Sequence, residues 1–141
     1  MKQQYGEEPR ELSLFHGTPD IDTVRCICNQ SFDWRLSGQY GSKYGDGAYF
    51  ATRAFYSSHY TRPSLVNARR YMFQADVLVG KHTQGYPGMK RPPPLGSKKH
   101  GLLYNSVVDN VLSPQVYVIF NSDQSYPTYL IEYDDVQAGY A

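Results

Sequence analysis

Apolar positions recur along this chain with two different periods, and the period separates helix from strand. Leu12 and Leu14 alternate with polar neighbours and predict a short strand, Leu12–Phe15, running into His16-Gly17. Ile21, Val24, Ile27 and Cys28 fall at helical spacing and predict a helix over 20–30. Ahead of it, Thr18-Pro19-Asp20 offers a hydroxyl or carboxylate cap and a proline for the first turn. From Phe32 to Gly47 the glycines and polar residues read as loop. Ala48–Ala51 is a short apolar run, and Thr52 is expected to cap a second short helix reaching Tyr60. Tyr71, Phe73, Ala75, Val77 and Val79 alternate cleanly and give the best strand pattern in the chain. Gly80 to Gly101 reads as a long loop with three consecutive prolines and Lys98-Lys99, the kind of loop that tends to carry function. Val116–Phe120 and Thr128–Tyr133 add two strands around a polar Asn121–Pro127 connection. The pattern is α+β, dominated by sheet, with short helices.

A length of 141 residues suits a single domain. Fourteen tyrosines, six phenylalanines and one tryptophan supply more aromatic surface than a disordered chain carries. A net charge of +1 argues against a charge-driven nucleic-acid arm or membrane patch. The longest apolar runs, such as Val116–Phe120, are far too short to span a bilayer. Cys26 and Cys28 are separated by one residue, which suits neither a zinc knuckle nor a redox pair, so no metal site is expected. With no signal-like segment at the front, an intracellular, cytoplasmic or nuclear setting is the expectation. Residues 1–11 read as a polar lead-in, 12–136 as the domain and 137–141 as a tail.

Three segments carry candidate chemistry. Leu14-Phe15-His16-Gly17-Thr18 puts a histidine and a glycine at a strand end. Tyr44-Gly45-Asp46-Gly47-Ala48-Tyr49-Phe50-Ala51 sets two glycines before an aromatic pair. Ser57 and Tyr60 follow on one short helix. Each has a bland reading when taken singly: a packed histidine, a weak Gly-x-Gly, tyrosines that pack and hydrogen-bond outward.

Together and in this order they resemble the catalytic domain of the poly(ADP-ribose) polymerase family, the diphtheria-toxin-like ADP-ribosyltransferases. The stretches Met89–Pro94, Leu103–Asn110 and Pro114–Phe120 look like the mono-ADP-ribosylating members, the subgroup with CCCH zinc fingers above all, the TCDD-inducible enzyme included. The resemblance covers nearly the whole chain from Leu12 on. It implies an α+β, antiparallel split β-sheet core, here without the family's first strand and helix. It also implies NAD as the substrate that donates ADP-ribose and a protein as acceptor, the domain itself included.

By resemblance, Gly17 offers its backbone to the nicotinamide carboxamide, at a place where only a residue without a side chain lets the ring approach. Ser57 adds a hydroxyl, and Tyr49 and Tyr60 offer ring faces to the cationic pyridinium. His16 orients the adenosine ribose, with Thr18 beside it and Ala51 among the cofactor-binding positions. The Asp33–Lys43 loop corresponds to the family's donor loop. The family triad of His, Tyr and Glu falls on His16, Tyr49 and Val116. A valine cannot activate a ribose hydroxyl, so the resemblance implies transfer of a single unit and no polymer. Asp46 stands where the family usually has lysine. A catalytically inactive domain binding NAD, ADP-ribose or a protein is the alternative. RNA reading through stacked tyrosines lacks the basic neighbours it needs.

Overall fold

A computed structural model of the protein describes residues 10–32, 43–96 and 101–134. Nearly all of the loop matched to the donor loop, Lys98-Lys99 and both termini lie outside the described residues. The strands are β1 (Glu11–Thr18), β2 (Ala48–Ala51), β3 (Arg70–Leu78), β4 (His82–Gln84), β5 (Ser106–Val108), β6 (Val116–Ile119) and β7 (Ser125–Tyr133). They form one sheet in the order β4-β5-β6-β2-β1-β3-β7. All neighbours are antiparallel except β4 and β5. Among the described residues two α-helices accompany it, α1 (Ile21–Gln30) and α2 (Ala54–Ser58), the first between β1 and β2 and the second between β2 and β3. The α+β class expected from the sequence is the observed one.

Several boundaries differ from the sequence reading, each for a local reason. β1 does not stop at Phe15; it pairs with β3 as far as Thr18↔Tyr71, so the His-Gly-Thr segment is itself strand. Asp20 caps α1, its carboxylate accepting from the Thr23 amide and hydroxyl at 2.8 Å each. Cys28 does not share the buried stripe: Thr23, Val24 and Ile27 are buried and Cys28 is exposed. Thr52 is not the cap of the second helix, which starts after Arg53 and has no side-chain cap. That helix closes at Ser58, so Tyr60 sits in the following turn, its amide donating to the Ser57 carbonyl.

Two strands escaped the sequence reading. β4 lies inside the expected 80–101 loop, and β5 pairs with it in parallel. Three residues are too few to display a period, and all of β5 is buried, so no alternation marks it. The rest of that loop folds back through a Pro94↔Leu103 bridge. β7 begins at Ser125, earlier than expected, because the sheet accommodates Pro127 at an edge. A register shift opposite Gln74/Ala75 leaves Thr128 as the extra residue, its hydroxyl donating to the Gln74 carbonyl at 2.8 Å.

Alternation sorts the side chains onto two faces. On one face Leu14, Phe50, Phe73, Ala75, Val77, Tyr117 and Ile119 pack with Val24 and Ile27 of α1. Phe32 joins this core at 4% exposure, although the sequence reading left it in a loop. On the other face Tyr49, Val107, Val116 and Val118 form a second cluster, bordered by Tyr44, Tyr56, Met89 and Phe120.

Candidate active site at the break in the sheet

β1 and β2 share one register pair, Phe15↔Ala51. Beyond it the antiparallel geometry sets His16 opposite Phe50 and Gly17 opposite Tyr49, and the β1–β2 ladder goes no further. The sheet is therefore split at the segment where the sequence concentrates its candidate residues. The His16 imidazole bridges the opening: Nδ1 lies 2.7 Å from the Tyr49 carbonyl oxygen. A carbonyl only accepts, so Nδ1 carries the proton and Nε2 is left as the acceptor nitrogen. The ring is 1% exposed and packs edge-on to Phe32, with centroids 5.0 Å apart, and at a tilt to Phe50 at 5.3 Å. Burial pulls its pKa down to about 4, against the raising effect of the Tyr49 bond, so the imidazole is neutral near pH 7.

Gly17 belongs to the opposite face. A Cβ built on it would run into the Ser57 carbonyl and press against Thr61 Cγ2 at 3.2 Å. The C-terminal end of α2 therefore rests directly on the backbone of β1, and glycine is the only residue that permits this approach. Ser57 is itself buried. Sequence reasoning linked Gly17 and Ser57 through family order alone; the sheet and α2 bring them into contact.

Tyr49 lies on the same face as Gly17 and is held at both ends. Its hydroxyl donates to the Gly45 carbonyl at 2.8 Å and accepts from the Tyr44 amide at 3.0 Å. Burial raises its pKa and keeps the phenol protonated. Gly45 takes φ +129, a backbone region that disfavours side chains, and packs against Met89 and Phe120. Val116 pairs with Ala51 and shares the second cluster with Tyr49. The three triad positions are thus gathered at the break: His16 through the Tyr49 backbone, Val116 through the Tyr49 side chain.

Thr18 is buried, and its hydroxyl donates to the Tyr71 carbonyl at 2.9 Å, tying off the β1–β3 ladder. Tyr60 pairs with Tyr56, the ring centroids 5.7 Å and the hydroxyls 3.3 Å apart. The sequence places Tyr56 in the same segment as Ser57 and Tyr60 without giving it a role, and its spacing of four residues from Tyr60 suits a stacked pair. Burial and the Tyr60 bond push the Tyr56 hydroxyl well above the ordinary range, so it stays protonated at physiological pH. Asp46, the residue in place of lysine, is answered by Lys90 Nζ at 2.9 Å. A groove of about 940 Å³ between the end of α1 and β7 contains none of these groups.

The comparisons with known proteins point to one family. The poly(ADP-ribose) polymerase catalytic domain profile matches residues 2–135. Protein mono-ADP-ribosyltransferase PARP12 of Mus musculus is 42% identical over 132 residues, covering 94% of this chain and 18% of the relative. Protein mono-ADP-ribosyltransferase PARP11 of Mus musculus is 35% identical over 144 residues, covering 87% of this chain and 42% of the relative. Protein mono-ADP-ribosyltransferase PARP14 of Homo sapiens is 36% identical over 135 residues and is matched over 7% of its length. The chain therefore spans less than half of the curated relatives it matches. A split sheet with His16, Gly17, Tyr49 and Ser57 gathered at its break, and a family profile matched almost end to end, together mean that this chain belongs to the poly(ADP-ribose) polymerase catalytic domain family.

Proposed function

We propose that this domain transfers a single ADP-ribose from NAD to a protein side chain, releasing nicotinamide. The observation that carries the proposal is the seating of Ser57 on Gly17 beside Tyr49, in a site whose triad ends in Val116. In NAD the pyridinium is cationic and departs as neutral nicotinamide, leaving oxocarbenium character on the ribose. No general acid is needed for that departure; what the site must do is grip a flat ring and its amide. Gly17 and Ser57 serve the carboxamide, and Tyr49 and Tyr60 serve the ring as aromatic faces. His16 serves the adenosine ribose through its acceptor Nε2, a positioning role that suits an imidazole neutral near pH 7. Thr18, on the His16 face, and Ala51, on the Tyr49 face, are the further cofactor-binding positions of this reading. The acceptor attacks the ribose carbon that nicotinamide leaves. Val116 can take no proton from it, so the acceptor side chain itself supplies the base. That requirement suits a carboxylate or a thiolate and disfavours a ribose hydroxyl, which would start a polymer. The two free cysteines of α1 fit a reducing, intracellular setting.

The test is incubation with labelled NAD and an acceptor protein mixture. Single-unit labelling that is lost in His16→Ala supports the proposal. NAD or benzamide raising the unfolding temperature, with no label transferred, would favour the inactive binding domain instead.

A further inference from the structure

Val116 is an apolar residue in a position where the family places a carboxylate, so it acts by shape and its placement rests on the backbone. Beyond its pairing with Ala51, that backbone is held by one side chain. Asp109 opens the loop from β5 to β6, and its Oδ1 accepts from the amides of Asn110 at 2.9 Å, Gln115 at 3.0 Å and Val116 at 3.1 Å. Its own amide donates to the Val116 carbonyl at 3.3 Å. Its carbonyl accepts from Gln84 Nε2 at 2.9 Å, which ties the loop to β4. Asn110 completes the loop by accepting from the amides of Leu112 and Ser113. Gln115, once fixed, uses its carbonyl to accept from the Thr52 amide at 2.9 Å. Thr52 is the residue by which the chain leaves β2 for α2 and Ser57.

We propose that Asp109 is a positioning residue for the transfer reaction, setting Val116 and, through Gln115, the point where the chain leaves β2. The proposal rests on the enzymatic reading above. One carboxylate oxygen serves three amides, so its removal frees the start of β6 and the exit of β2 together. Tyr49 and Ser57 are held by other bonds and contacts, so the site's grip on nicotinamide survives while the alignment of the acceptor side is lost.

The experiment compares Asp109→Ala with Asp109→Asn, whose amide oxygen accepts the same three hydrogen bonds without the charge. Asp109→Ala is expected to lower the turnover of label transfer about tenfold with KM for NAD within about twofold. Asp109→Asn is expected to restore turnover. Wild-type turnover in Asp109→Ala, or an Asp109→Asn protein as slow as Asp109→Ala, overturns the role. If Asp109→Ala does not fold, amide exchange at Gln115 and Val116 in Asp109→Asn decides: retained protection with retained turnover supports the role, and loss of either overturns it. A wild-type protein that transfers nothing removes the enzymatic reading instead, a result distinct from transfer that ignores Asp109.

Discussion

The two halves of the sheet are held together by different means. In the β1–β3–β7 half, long ladders run from Glu11↔Leu78 to Thr18↔Tyr71 and from Arg70↔Tyr133 to Val77↔Ser125. Hydrogen bonding along that length lets β7 hold its place with only Ser125 of its nine residues buried. In the β2–β6–β5–β4 half the strands are short, but β2, β5 and β6 are buried on both faces. Burial there does the work that ladder length does on the other side. The halves meet at one register pair, and the site lies where the two modes of stabilisation meet. A ligand placed there touches both halves, so rearrangement of one relative to the other changes the site without unfolding either.

The largest way to break this arrangement is Gly17→Val. The added side chain strikes the Ser57 carbonyl and Thr61, so α2 must lift from β1. Overpacking of this kind costs about 1–3 kcal/mol, and benzamide-induced thermal stabilisation should vanish with it. Retained benzamide binding in a folded Gly17→Val protein would show that α2 does not set the site.

The bridge itself is sharpened by pH. His16 falls from the usual 6.5 to about 4 in the folded state, so the unfolded chain binds more protons between those values. Stability is therefore full above pH 6.5 and is lost as pH falls toward 4. The contribution is about 3 kcal/mol at neutral pH. Urea titrations across this window should show a slope that flattens by one proton in His16→Asn; an unchanged slope would place the acid sensitivity elsewhere.

Tyr49→Phe tests the short-strand half alone. It removes one hydroxyl and leaves the Gly45 carbonyl and Tyr44 amide without it. A loss of about 1–2 kcal/mol in urea unfolding is expected, with a larger proportional loss of transfer if the ring shifts. The smallest effect belongs to Lys90→Ala. Its Nζ is bonded to Asp46, but the lysine side chain is 76% exposed, so solvent and salt screen the pair. Stability should change by less than about 1 kcal/mol. A measurable fall in NAD affinity would instead show that Asp46 needs neutralising beside the dinucleotide.

Much of this was legible in the chain. The alternation from Tyr71 to Val77 predicted β3 and its α1-facing side, because a long strand with one buried face writes its period into the sequence. The helical stripe of Val24 and Ile27 did the same for α1. β4 and β5 were hidden, since strands of three residues carry no period and complete burial erases polar markers. Among the site residues, motif order named His16, Gly17, Tyr49, Ser57, Tyr60 and Val116, but it could not divide them between the two faces.

By itself, then, the sequence determined the α+β class, the principal strands and helix, the family and the absence of an acid at Val116. These follow from periodicity and residue identity, which are local properties. Only the tertiary structure decided that the β1–β2 ladder ends at Phe15↔Ala51, that His16 spans the opening to the Tyr49 carbonyl, and that Ser57 rests on Gly17. It also decided that Asp109 holds Val116. Each of these joins elements far apart in the chain, and no local pattern records a contact whose partner is set by the register of a sheet.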